Sequence, residues 1–268
     1  MPQNKNITRT KNPHIKNIIQ LRERKGRQKT GLMIVEGFRE VLRAKEGSVT
    51  FREVYLCRDF FRYDGMEKLL EDIASLGIKP FETTKEVFSK ISFGQRQEGI
   101  LAVCQQPQWT LRDLKLKKNP LLVIMEGVEK PGNLGAVLRT CDGAGVDGLI
   151  LCDAKTDRYN PNVVRASIGT VFCIPTIESS QEKTLAYLRK NQIKICAASP
   201  QAKTLYAQAD LSVSLAIVIG SEERGLKDFW MENSDIQVKI PMRGKADSLN
   251  LSTTTAILVY EAIRQRTR

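Results

Sequence analysis

Three short polar stretches in the second half of the chain hold the residue types that could do chemistry. The first, PGNLGAVLRT (131–140), follows an apolar run that ends at Glu126. Gly132 and Gly135 let a ligand approach the backbone near a helix N-terminus, where unpaired N–H groups attract anions. In the plainer alternative Asn133 is simply the N-cap of a helix that begins near it. Arg139 is more informative. Leu134, Val137, Leu138 and Cys141 set an apolar face at about 100° per residue, and Arg139 projects away from it toward solvent, a partner chain or substrate. The second stretch, IGSEERGL (219–226), fails as a phosphate loop, because its lysine is displaced and no Ser or Thr follows. It either leaves strand-end backbone open to a neutral or cationic ligand, or is an ordinary turn with Glu222 and Glu223 in a first helical turn. The third, IPMRGKADSLNLS (240–252), sets Ser248, Asn250 and Ser252 before a final helix, where one N-cap would suffice. Thr253, Thr254 and Thr255 follow.

The elements that must position these stretches alternate between strand and helix. Apolar runs LLVIME, GLILCD, FCIPTI, IKICAAS, LAIVIGS and IQVKIPM predict strands buried on both faces of a mostly parallel, helix-covered sheet. In such a sheet ligands bind beyond the carboxyl ends of strands, where the three polar stretches fall. An apolar stripe at Ala256, Ile257, Val259, Tyr260 and Ile263 predicts the inward face of the last helix. Residues 31–106 alternate in the same way and read as a first compact α/β domain. There Thr83 with Glu86 fits a capping box opening KEVFSKI, as Ser179 with Glu182 does before KTLAYLRKN. Residues 107–119, bracketed by Pro107 and Pro120, read as a linker, and 120–268 as the second domain.

The chain has 268 residues, 41% hydrophobic and 27% charged, and carries a net charge of +12. That composition fits a folded globular protein. No apolar run reaches the roughly 20 residues of a membrane span, and the N-terminus has no secretory apolar core. Six cysteines scatter without metal or redox spacing, which points to reduced core cysteines and a cytoplasmic location. The single histidine, His14, gives little support to a histidine base or a histidine-rich metal site. Charge concentrates in residues 1–30, where nine Lys or Arg face Glu23 alone. Such a basic leader expects a polyanion, nucleic acid first, unless it is merely a solvated charged helix. Arg22, Arg24, Lys25 and Arg27, with Arg39 beyond them, are the candidate RNA contacts.

Taken together and in this order, the three stretches resemble the motifs of the SpoU (TrmH-type) branch of the SPOUT RNA methyltransferases, across about residues 120–265. The N-terminal GLMIVEGFREVL is similar to the substrate-binding domain of the ribosomal RNA members, whose fold is like that of ribosomal protein L30e. The resemblance implies a homodimer whose catalytic domain holds a C-terminal trefoil knot. It implies transfer of a methyl group from S-adenosylmethionine to a ribose 2′-hydroxyl without a metal, in ribosomal RNA before transfer RNA. A non-catalytic RNA-binding or ribosome-assembly protein of the same fold is the alternative of another class. By resemblance Arg139 activates the hydroxyl, Asn133 and Glu222 hold its surroundings, and Ser248 and Asn250 complete the polar pocket. The cofactor would lie against Ala198, Ser199, Ile219, Gly220, Ile240, Met242, Ser248 and Leu249. Arginine stays charged in proteins, so Arg139 is expected to orient the hydroxyl and stabilise developing oxygen charge. The three threonines depart from the small apolar residues the family often has there.

Overall fold

The computed structural model describes residues 5–94, 97–221 and 223–267. They divide into two compact units, Met1–Pro107 with Tyr159–Cys173, and Gln108–Arg158 with Ile174–Arg268. Glu222, one of the expected catalytic residues, lies outside the described residues.

The first unit runs β1 (Lys5–Ile7), α1 (Pro13–Gln20), α2 (Arg24–Thr30), β2 (Leu32–Glu36), α3 (Phe38–Glu46), β3 (Phe51–Leu56), α4 (Met66–Ser75), β4 (Phe81–Thr83), α5 (Lys85–Ile91) and β5 (Ile100–Gln105). Its mixed sheet has the order β1-β4-β3-β5-β2. The basic segment does not stand apart from it. Asn12 caps α1 by accepting from His14 N–H at 2.9 Å, and the helix buries Ile15 and Ile18 with Leu21 in one core with Ile34, Tyr55 and Phe88. His14 is occupied as well, its Nδ1 lying 2.9 Å from Glu53 Oε1.

Both expected capping boxes fall one residue early. Thr84 caps α5, while the Thr83 hydroxyl donates to Leu56 C=O at 2.7 Å as part of β4. Where two hydroxyl residues adjoin, the strand pairing of the first decides which one turns into the helix.

Residues 159–173 join this unit although they lie far along the chain. A short helix, Pro161–Ala166, packs on β2, the 3-10 turn Thr170–Phe172 packs on α3, and the Tyr159 hydroxyl donates to Pro107 C=O at 2.7 Å. Beside them Glu40 of α3 is only 9% exposed. Burial pushes its carboxyl up to about 7, with Glu98 adding to the rise and its own N–H, Arg165 and Arg43 opposing it. The folded chain therefore holds this proton more tightly than the unfolded chain. The resulting stabilisation is complete below about pH 4.5 and is lost as pH rises to about 7. Glu40→Gln is expected to change little at pH 4.5 but to stabilise the protein at pH 8 by on the order of 1–3 kcal/mol. Denaturant melts at both pH values check this, and equal effects at the two would overturn it.

The second unit runs β6 (Leu121–Glu126), α6 (Pro131–Gly143) and β7 (Gly148–Cys152); the helix at 161–166 is α7. Then follow β8 (Thr176–Glu178), α8 (Gln181–Lys190), β9 (Lys194–Ala198), β10 (Thr204–Leu205), β11 (Leu215–Ile219), α9 (Asp228–Asn233), β12 (Ile236–Lys239) and α10 (Leu251–Arg266). Seven strands pair in the order β10-β12-β9-β11-β6-β7-β8, and every pairing is parallel. β6, β7 and β11 are buried along their whole lengths. One face, through Leu122, Ile124 and Val218, meets Leu188 of α8 and Trp230 of α9. α10 packs against β11 and α6. The expected strand FCIPTI shortens to Thr176–Glu178 because Thr170–Phe172 is drawn into the first unit. Nor are residues 107–119 a free linker, since Trp109, Leu111 and Leu116 pack on the core of the second unit. Ser180, not Ser179, caps α8. Among the described residues no helix is long and apolar enough to cross a membrane.

Candidate functional site at the strand ends

The ends of β6, β11, β9 and β12 are neighbours in the sheet, and they carry the three polar stretches. After β6 the chain turns through Gly127 into α6, which begins at Pro131 with Lys130 at the N-cap position. Asn133 is thus the third residue of the helix and not its cap, because a proline at N1 already starts it. A side chain at Gly132 would point into open space, so that glycine answers no close contact. Leu134, Val137, Leu138 and Cys141 are buried, as the spacing predicts, and Arg139 is exposed beside Asp142 and Gly143. Among the described residues, no other side chain is within hydrogen-bonding or ion-pair reach of Arg139.

β11 ends at Ile219, and Gly220 is the point of closest approach. A Cβ there would lie 2.0 Å from the Gly225 carbonyl carbon and 2.2 Å from Leu226 N. The loop folds back on itself, Ser221 N–H donating to Gly225 C=O at 3.1 Å and Gly225 N–H to Ser221 C=O at 3.0 Å. Gly225 adopts a left-handed φ of +68°. α9 begins only at Asp228, so Glu223 belongs to this turn and not to a first helical turn.

Glu126 is a functional candidate that the strand pattern passed over. It ends an otherwise apolar strand, is 1% exposed, and accepts from Lys227 N–H at 2.9 Å through Oε2. Among the described residues its other oxygen has no hydrogen-bond partner, and the Lys227 ammonium lies 3.8 Å from it. Burial raises its pKa against the opposing pull of Lys227. The Lys227 ammonium reaches Asp153 at 2.6 Å, so β6, β7 and the segment after Gly225 are tied together. A carboxylate closing a wholly apolar run was the available signal.

The third stretch resolves the question of its surplus caps. Asn250 caps α10, its Oδ1 accepting from Ser252 N–H at 2.9 Å. Its Nδ2 donates to Asn133 Oδ1 at 3.2 Å, across 117 residues of chain. One side chain therefore closes the helix and joins the first stretch to the third. Ser248 is exposed, while Ile240, Met242 and Leu249 are half-buried at the end of β12 and in the loop beyond it. At the end of β9, Ala198 is half-buried and Ser199 N–H donates to Val238 C=O at 3.0 Å, linking that loop to β12.

Two expectations about helices are corrected. α10 buries Leu251, Thr255, Leu258, Val259 and Ala262, whereas Tyr260, placed in the inward stripe, is 51% exposed. Thr255 can be buried because its hydroxyl donates to Leu251 C=O at 2.8 Å. Among the RNA candidates, Arg27 is 1% exposed and donates to Leu21 C=O and Arg22 C=O, so it closes the end of α1 and cannot meet a phosphate. Arg22 likewise gives one nitrogen to Lys90 C=O and Ser92 C=O, both at 2.8 Å. Arg24, Lys25 and Arg39 are exposed.

Comparison with known proteins matches this arrangement to two family models. Residues 12–102 match the MRM3-like substrate binding domain. The chain is 28% identical to a 23S rRNA guanosine 2′-O-methyltransferase of Bacillus subtilis, covering 96% of this chain and 98% of that one. It is 32% identical to a 23S rRNA guanosine 2′-O-methyltransferase of Coxiella burnetii, covering 75% and 83%. A crystal structure of an RNA 2′-O ribose methyltransferase superposes with a TM-score of 0.85 at 35% identity, over 98% of this chain and all of that one. An AdoMet-bound rRNA methyltransferase from Sinorhizobium meliloti superposes at 0.88 and 28% identity, over 97% of each chain. Residues 120–260 match the SpoU rRNA Methylase model, more than half of the chain, and the protein belongs to that family.

Proposed function

We propose that this chain transfers a methyl group from S-adenosylmethionine to a ribose 2′-hydroxyl of ribosomal RNA, in the cytoplasm and as a homodimer. The observation that carries the reading is the bond from Asn250 to Asn133, which joins the first and third motif loops, with the second leaving β11, the strand next to β6 in the sheet. The residues suit the cofactor. Gly220 presents bare backbone, and half-buried Ile240, Met242 and Leu249 offer apolar surface for an adenine ring. Ala198, Ser199 and Ile219 would complete that wall, with Ser248 at its polar edge. When bound, S-adenosylmethionine would supply an electrophilic methyl group.

The chain's own task is then alignment and charge. Arg139 orients the hydroxyl and steadies negative charge as it develops on the oxygen. Asn133, held by Asn250, positions the near side of the pocket. The outer surface of α10, with Ala256, Ile257 and Ile263 half-buried and Tyr260 exposed, is apolar enough to be covered by a second copy. The knot would lie where the chain leaves β12, between β9 and β10, and returns as α10 against α6.

The direct test is incubation with S-adenosylmethionine and ribosomal RNA, followed by mass-spectrometric mapping of ribose methylation. No methylated nucleotide in any ribosomal RNA would reject the reading. Exposed Lys25 and Lys29 of α2 are proposed phosphate contacts. Changing both to alanine is expected to flatten the slope of log affinity against log salt by about 1.4–1.8 while leaving stability within about 0.5 kcal/mol. Fluorescence titrations across salt concentrations measure that slope, and an unchanged one would remove α2 from the RNA interface.

A further inference from the structure

The first unit contains a cleft of about 170 Å³ that none of the motif loops forms. Ile34, Val164 and Ile168 make its apolar walls, and Tyr63 and Phe93 contribute rings. Arg39 and Arg165, both exposed, also line it. Three carboxylates face it, and two are already engaged. Glu36 accepts from the Ser92 hydroxyl at 2.7 Å and from Phe93 N–H at 2.6 Å. Glu98 accepts from Phe38 N–H at 2.9 Å and the Tyr63 hydroxyl at 3.0 Å. Glu40 differs from both. It is nine-tenths buried and lines the cleft, yet among the described residues only its own N–H reaches its carboxyl.

A void of about 150 Å³ already admits a benzene ring, so an open cleft of about 170 Å³ suits one flat base ring system and is too small for a run of nucleotides. Apolar walls and rings suit the faces of such a ring. A buried carboxyl held only by its own N–H suits an edge that offers two adjacent N–H donors, and the exposed guanidinium groups suit phosphates. We propose that this cleft receives one unpaired guanine of the RNA, its N1–H and N2–H on Glu40 and its flanking phosphates on Arg39 and Arg165. The assignment rests on the RNA-modifying function above and names a base-reading site within it. Single-stranded RNA is commonly read through splayed bases held on their Watson–Crick edges. α7 completes the pocket by bringing Val164 and Arg165 to β2 and α3, which explains a use for the long excursion of residues 159–173 into this unit.

The test compares the full-length protein binding short oligouridine RNA and the same RNA with one central guanosine. The guanosine is expected to tighten binding about ten- to a hundredfold, the discrimination of a good bidentate pair. Glu40→Gln should erase that preference while S-adenosylmethionine affinity holds and the melting temperature does not fall. Arg39→Ala should weaken both RNAs alike and keep the preference. Equal affinity of the two RNAs for the unaltered protein, or an unchanged preference in Glu40→Gln, would overturn the assignment. Guanosine monophosphate binding as tightly as the RNA would overturn RNA as the source. So would a lysine-rich peptide that binds the unaltered protein and not Glu40→Gln. Ribosomal RNA methylation by a protein with no base preference would remove only the cleft, whereas absent methylation would remove the function beneath it.

Discussion

Arg139→Ala is expected to lower methyl transfer about 10²–10³-fold while leaving S-adenosylmethionine affinity within about twofold, the pattern of a group that acts on developing charge. The side chain is exposed on the outer stripe of α6, and no described neighbour engages its guanidinium. Its removal should therefore change stability by no more than about 0.5 kcal/mol. That combination separates a chemical role from a structural one. If Arg139 served packing, melting temperature and activity would fall together. If it held the cofactor, calorimetric affinity would fall with turnover. Arg139→Lys keeps the charge but not the planar fork, so partial activity there would favour charge stabilisation over bidentate positioning. Turnover near that of the unaltered protein in Arg139→Ala would end the assignment.

The same contrast between exposed and engaged groups explains what was legible in the sequence. Strands such as LLVIME and LAIVIG announced themselves because burial on both faces leaves unbroken apolar runs, and their order placed the three loops. Arg139 could be placed outward from its neighbours alone, since a thirteen-residue helix fixes its faces by period. Arg27 could not. It belongs to a run of similar basic residues, and only the end of α1 beside it makes its carbonyl partners available. Residues 159–173 were equally opaque, because their packing on β2 and α3 joins positions more than a hundred residues apart. Asn250 was visible as a possible cap, but its reach to Asn133 spans two loops that sequence order separates. Tyr260 misled because an aromatic residue at helical spacing satisfies an inward stripe equally well when it faces out.

Gly220→Ala should abolish cofactor binding, lowering affinity by at least about 10²-fold in a calorimetric titration, since several kcal/mol of contacts depend on the displaced loop. The cause is steric and backbone in origin. The added Cβ would sit 2.0 Å from one carbonyl carbon and 2.2 Å from its oxygen, and neither atom can rotate aside as a side chain could. The segment through Leu226 must move, which breaks the paired bonds between Ser221 and Gly225. Overpacking of this kind costs typically about 1–3 kcal/mol, so the protein should still fold, with a measurable drop in melting temperature. Gly225→Asn supplies the comparison. A side chain there meets no atom within 4 Å, and asparagine tolerates the left-handed φ of +68°. It should keep most of the affinity that Gly220→Ala loses. Equal losses in both variants would mean that the turn's conformation, and not the closeness of its backbone to Gly220, shapes the pocket. Full affinity in Gly220→Ala would place the cofactor elsewhere than at the end of β11.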